Sequence, residues 1–151
     1  MAKSVDTILV VDIEATCWKG KPPHGQENEI IEVGVCPVDT RKIECGEPYS
    51  IMVKPEKSHV SQFCTELTSI TEEDLKDAVK LIDGCREIQS KYNSRNNIWA
   101  SWGDYDRTQF DKECRRKRVN YPFGSRHINI KTLFQLLIIY LWKWECKERV
   151  Q

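Results

Sequence analysis

At 151 residues with 23 basic and 23 acidic side chains, the chain has no net formal charge. This excludes a global cationic field for collecting nucleic acid or anionic membrane, so any polyanion must be held by a local patch or a bound metal. A 40% hydrophobic and 30% charged composition describes one soluble domain, large enough to bury roughly two-thirds of its unfolded surface.

The chain opens on a β-branched run, Thr7 to Val11, that continues into Asp12, Ile13 and Glu14 as a first strand. The loop from Lys19 to Asn28, with Gly20, Pro22, Pro23 and Gly25, is irregular. Glu29 to Val38 reads as a second strand and Ile43 to Val53 as a third, bent near Gly46 and Pro48; the short links favour antiparallel neighbours. Ser61 starts a helical stretch ending at Leu67, and Thr71-Glu72-Glu73-Asp74 carries the cap and acidic first turn of another short helix. Ala78 to Tyr92 has helical spacing of apolar residues, Asn97 to Trp102 is a compact strand, and Asp104 to Arg118 is polar enough for a surface helix. His127 to Ile130 forms a last short strand, followed by a helix from Lys131. Three antiparallel strands and then helix–strand alternation predict an α/β sheet whose later strands run parallel.

Period-two alternation sends Asp12 and Glu14 to the same side of the first strand. Two neighbouring carboxylates at the end of a buried strand repel each other and lose hydration, and a divalent cation would answer both objections. Water facing the strand end would do the same for an isolated D-x-E. The seven cysteines offer no C-x-x-C pair and no tight Cys/His cluster, which argues against zinc. With no secretory signal at the start, free thiols in a reducing cytoplasm are expected.

Three segments occur in order: D-I-E-A-T-C-W from Asp12, F-C-T-E-L-T-S-I-T from Phe63, and S-W-G-D-Y-D-R-T-Q-F from Ser101. Together they resemble the DnaQ-like (DEDD, DEDDh-type) 3′→5′ exonuclease superfamily, in the branch that trims structured RNA 3′ ends and its bacterial relatives. The resemblance covers about Ile8 to Phe134 and implies a ribonuclease H-like mixed sheet flanked by helices. It implies that Asp12, Glu14 and Asp106 are catalytic residues that ligate divalent metal, with Asp104 the fallback for Asp106; the alternative for Asp104, which is favoured, is a helix N-cap. It implies that Leu67, Thr68 and Ile70 pack around a 3′-terminal nucleotide and that Ala15 and Thr16 line the same pocket; apart from the resemblance, Trp18, beside the carboxylates, is a candidate to stack on a base. Trp99 and Trp102 are assigned to core or pocket wall. The implied cofactor is Mg²⁺, or Mn²⁺, in a two-metal site with the ions ~4 Å apart. The implied partner is a single-stranded nucleic-acid 3′ end, RNA before DNA, and no membrane. The basic run from Lys112 to Arg118 either contacts phosphates or forms a solvated helix face, and His24, His59 and His127 are read as structural or exposed.

The superfamily pattern closes with an H-x-x-x-D segment that has no counterpart here. Residues 1–134 are therefore read as the exonuclease-like domain, C-terminally incomplete, and residues 135–151 as an atypical tail. From Leu136 to Leu141 the tail is apolar on all sides, as in a fully buried helix, yet too short for the ~20 residues of a membrane span. Read in another frame from Leu141, the possible codons of Trp142 to Arg149 encode an E-x-G-(M/L) segment like that of relatives. A frameshift between Phe134 and Trp142 is the expectation, decided by sequencing the encoding DNA. The chain is then a slow or crippled exonuclease, or else a catalytically inactive module that binds nucleic acid or a partner protein.

Overall fold

The structure, a computed structural model, describes residues 6–148, with side chains through Tyr140. Strand β1 (Thr7–Ala15) pairs antiparallel with β2 (Ile30–Asp39), whose far edge carries two short strands, β3 (Glu44–Cys45) and β4 (Tyr49–Met52). Helices α1 (Gln62–Thr68) and α2 (Leu81–Tyr92) follow, then β5 (Ile98–Ser101), α3 (Tyr105–Lys117), β6 (His127–Asn129) and α4 (Ile130–Glu148). β5 lies parallel to β1 on the side away from β2, and β6 lies parallel to β5. The expected mixed sheet is present, with β1 at its centre.

The alternation of β1 is the reason it occupies that place. Leu9, Val11, Ile13 and Ala15 are buried, while Asp12 and Glu14 point to the opposite face. The odd-numbered side joins Ile30, Val33 and Val35 of β2, Leu81, Cys85 and Ile88 of α2, and Phe110 and Cys114 of α3 in the main core. Trp99 is fully buried within it, stacked on Phe123 at 4.6 Å between centroids. A smaller cluster of Ile31, Cys64, Ile70 and Leu75 seats α1.

Four elements depart from the sequence reading, each for a physical reason. The third strand is two strands, interrupted between Cys45 and Tyr49 at Gly46 and Pro48. Thr71 to Asp74 does not start a helix. The Asp74 carboxylate accepts both the Thr71 N–H (2.8 Å) and the Thr71 hydroxyl (2.6 Å), a local turn that competes with helical hydrogen bonding. α2 begins at Leu81 rather than Ala78, because Val79 is taken into a parallel bridge with Val53. The described side chains of α4 are exposed, not buried: Leu133, Phe134 and Leu136 to Tyr140 all stand about half open or more, and Leu141 lies outside the described side chains. Among the described residues, no helix is long and apolar enough to cross a membrane.

α3 lies where the sequence reading puts a helix, and it buries one face. Its inward stripe is Asp106, Gln109, Phe110, Glu113 and Cys114, helical spacing carried mostly by polar side chains. Glu113, without solvent exposure, accepts the Ile30 N–H at 2.8 Å. Glu29, equally buried, accepts the backbone N–H groups of Glu56, Lys57 and Ser58. Lys117 bridges the two acids, 3.0 Å from each, and Arg116 pairs with Glu27, Glu29 and Glu113. Within the basic run that sequence reading left to phosphates or solvent, Arg116 and Lys117 are turned inward onto the chain's own carboxylates, while Lys112, Arg115 and Arg118 are exposed.

Burial alone would raise the Glu29 pKa, but the Lys57 N–H, the Lys117 ammonium and the Glu56 N–H outweigh it and hold the group at about 2. A carboxylate depressed on folding stabilises the protein above its unfolded pKa, and that stability is lost as pH falls through the folded value. Acidification from pH 4.5 towards 2 is therefore expected to remove about 3 kcal/mol through Glu29. Urea midpoints followed across that window check it; a Glu29→Gln variant should show a smaller loss over the same range.

Candidate active site

β1 delivers Asp12 and Glu14 to one face, and the first turn of α3 delivers Asp106 to the same corner. The Asp106 Oδ1 accepts the Ile13 N–H at 3.2 Å, so the helix is tied to the strand between the two β1 acids. Ser101, the last residue of β5, donates to the Gly103 carbonyl at 3.0 Å and stands 2.9 Å from the His127 Nε2. Asp106 is buried and fixed, whereas Asp12 is open to solvent and Glu14 is half-buried.

The electrostatics show what this corner lacks. The Asp12 pKa is pushed up by burial and then by Glu32. Glu14 is pushed up by burial and then by Asp12, Glu32 and Asp106. Asp106 is raised by burial and Asp12, against the Ile13 N–H and Ser101, which lower it. Glu32 belongs to this group because it sits opposite Glu14 in the β1–β2 register, with the Ser50 hydroxyl donating to it. Sequence reading missed it, although the E-I-I-E pattern of β2 sends its second acid to the Glu14 face.

Carboxylates whose pKa values rise on folding favour the folded state most when protonated, and that contribution is lost as pH rises through the folded pKa. Asp12→Asn is therefore expected to raise the thermal unfolding midpoint of the metal-free protein at neutral pH, with the difference shrinking on acidification. Melting curves of both proteins in chelator at two pH values check this.

The donor set is all oxygen, which suits Mg²⁺ or Mn²⁺ rather than a thiophilic ion. Asp12, Glu14 and Asp106 are the residues that could hold it. Among the described residues, no three acid, His or Cys side chains already form a closed metal cluster. The fit rests on the shared corner and the mutual repulsion of the acids, with Asp12 free to turn.

The remaining predicted site residues divide. Asp104 occupies the N-cap position of α3, but its side chain makes no capping bond; it accepts from Asn129 at 2.9 Å and pairs with Arg107. Thr16 is fully buried, its hydroxyl spent on the Glu27 carbonyl and the Glu29 N–H, so it locks the loop instead of lining a pocket. Ile70 belongs to the small core. Ala15 is buried, with its carbonyl 3.6 Å from the Cys64 Sγ, and the Ser61 hydroxyl donates to the Cys17 carbonyl at 2.6 Å. Those contacts seat α1 against the exit of β1, and Leu67 projects from that helix, 68% exposed. Thr68 donates to the Cys64 carbonyl.

The tryptophans divide as well. Trp18 is half-buried, Trp99 is core, and Trp102 is exposed, tilted against Phe134 at 6.0 Å. Tyr105 opens α3 and is 56% exposed. Burial first, then the fields of Cys17, Asp106 and Glu14, push its pKa up. In the sequence it served only as the aromatic marker before Asp106. The three histidines are occupied elsewhere or exposed: His127 packs on Trp99 and bonds Ser101, His59 lies 3.6 Å from Glu72, and His24 is on the surface loop.

Comparison with known proteins places this arrangement. The RNase_T exonuclease family model matches residues 9–137. The human 3'-5' exoribonuclease 1 is 33% identical over 138 residues, 83% of this chain and 38% of that protein. The Drosophila melanogaster 3'-5' exonuclease Snipper is 29% identical over 151 residues, 85% of this chain and 53% of its own length. Among solved structures, the nuclease domain of 3'hExo, described as a DEDDh family member bound to rAMP, superposes with a TM-score of 0.74 at 28% identity. That superposition covers 83% of this chain and 67% of the other. The chain spans about two-fifths of the human relative's length. The family match runs from the central strand into the middle of α4, and by it the chain belongs to the RNase_T exonuclease family, a DnaQ-like 3′→5′ exonuclease domain of ribonuclease H-like fold.

Proposed function

We propose that this chain acts on the 3′ ends of nucleic acid, RNA before DNA, as a Mg²⁺- or Mn²⁺-dependent 3′→5′ exonuclease. The observation that carries the reading is the junction of β1 and α3, where Asp12, Glu14 and Asp106 meet and the Ile13 N–H locks Asp106 in place. Divalent metal bound there would neutralise the developing charge of phosphodiester cleavage and activate water. The chain's own residues do the rest. Asp106 is held by the Ile13 N–H, Asp12 and Glu14 supply further carboxylate oxygens, and Leu67 offers an apolar surface for a base. Relatives described as exoribonucleases and a neighbour described as bound to rAMP support RNA as the substrate.

A second reading, a module that binds nucleic acid without cutting it, is favoured by one observation: no described histidine faces the acids. A missing general base typically costs a factor of ~10²–10⁴, so slow turnover is expected from these residues alone. The test is shortening of 3′-labelled single-stranded RNA and DNA with Mg²⁺ or Mn²⁺, beside an Asp12→Ala control. Metal-dependent and Asp12-dependent shortening is the expected result; binding without it establishes the second reading.

A further inference from the structure

The sequence shows no adjacent cysteine pair, yet the fold brings six of the seven cysteines together two by two. After burial, the thiols of Cys64 and Cys45 push up the pKa values of Cys17 and Cys36 respectively; the Cys85 thiol, then burial, pushes up that of Cys114. Cys17 packs against the small core that holds Cys64. The pairs differ in what can reach them. Cys85 and Cys114 are both closed off in the main core between α2 and α3. Cys36 and Cys45 lie on neighbouring strands at the edge of the sheet, Cys45 exposed. Cys17 is half-buried and packs against the small core, where Cys64 is fully buried.

The third pair sits where the chain has most to gain or lose by a covalent link. Cys17 follows Glu14 by three residues at the exit of β1, and Cys64 is on α1, one turn before Leu67 and Thr68. The two segments already touch through the Cys64 Sγ on the Ala15 carbonyl and the Ser61 hydroxyl on the Cys17 carbonyl.

We propose that Cys17 and Cys64 are an oxidative modification site, closed to a reversible disulfide by a low-molecular-weight disulfide such as oxidised glutathione. The half-open Cys17 reacts first. Its thiolate attacks one sulfur of the reagent, the reagent's S–S bond breaks, and one glutathione thiolate leaves. Cys64 gives up its proton to solvent and attacks the Cys17 sulfur; the Cys17–Cys64 bond forms and the second glutathione thiolate leaves. Two electrons pass from the protein thiols to the reagent, which is reduced to two thiols. Burial, then Cys64 and Glu14, hold the Cys17 pKa at about 11, so the first step is slow at neutral pH. Because the two segments already touch and Cys17 packs against the cluster that holds Cys64, the second step is fast relative to the first, and the mixed disulfide does not accumulate.

The bond would fasten α1 to the end of β1, beside Glu14 and Leu67. That location matters for turnover only on the exonuclease reading, but formation of the bond does not depend on it. The test therefore reads chemistry instead of activity. The folded full chain is incubated with oxidised glutathione, its remaining thiols are alkylated, and non-reducing peptide masses are recorded. The expected result is a Cys17–Cys64 linked peptide, simultaneous loss of alkylation at both positions, and recovery of both on dithiothreitol treatment. In Cys64→Ser, Cys17 should instead stop as a glutathione adduct. A stable Cys17 adduct in the unmutated chain with Cys64 still alkylatable overturns the proposal. So does oxidation confined to Cys36 and Cys45.

Discussion

Asp106→Asn is expected to lower metal-dependent shortening of 3′-labelled RNA on the order of 10²–10³-fold while leaving the fold intact. A metal ligand's share of charge stabilisation in such reactions is several kcal/mol, and each 1.36 kcal/mol is tenfold in rate. Asparagine retains the volume and the Oδ1 acceptor that receives the Ile13 N–H at 3.2 Å, so the tie between α3 and β1 survives. What is lost is the negative charge at a buried, oriented position. Rates for variant and parent across a Mn²⁺ titration, with circular dichroism of both, check the result. An Asp106→Asn protein that cuts as fast as the parent would remove Asp106 from the site and return the question to Asp104. Asp104→Asn, by contrast, is expected to leave the rate nearly unchanged, because that side chain is engaged with Asn129 and Arg107 at the surface.

Glu29→Ala is expected to destabilise the protein by about 3–5 kcal/mol, the range for breaking a buried ion pair from one side. Three backbone N–H groups at residues 56–58 lose their acceptor, and Lys117 and Arg116 lose a carboxylate in a nearly dry environment. Against a typical total of about 5–15 kcal/mol, this is enough to leave the variant partly unfolded at moderate temperature. Urea unfolding measures it. Glu29→Gln preserves acceptors for the N–H groups and is expected to lose less. A Glu29→Ala midpoint equal to that of the parent would show that the network is worth no more than an exposed one.

The two predictions mark what was legible in the sequence. Asp12 and Glu14 could be read because their spacing, the strand alternation and the apolar approach from Thr7 all agree on one face. Asp106 could be read because of its aromatic neighbour and its place at a strand-to-helix junction. α3 was read as a polar surface helix, and its buried face was not seen. Its buried stripe, residues 106, 109, 110, 113 and 114, has helical spacing but is written largely in polar side chains, and hydropathy cannot see a carboxylate that will meet a lysine. Thr16 and Ile70 carry the motif letters, and their contacts, the Glu27 carbonyl and the small core, come from other parts of the chain. The cysteine pairs were invisible for the same reason: their separations in sequence bear no relation to their contacts.

The parallel pairing of β1 with β5 governs when this site comes into being. β1 and β2 are close in sequence, so Asp12, Glu14 and Glu32 can gather early on a local ladder. Ile8 must wait for Ile98, and Ile13 for Asp106, about ninety residues downstream. Long-range pairing of this kind pays its loop-closure entropy before any contact rewards it, and is slow. The acids on β1 therefore spend the early part of folding without their third partner. A chain still emerging from the ribosome holds the means to bind a cation weakly, but not yet the rigid aspartate that would aim it. On the exonuclease reading, competence to cut would arrive only once the second half of the sheet has closed.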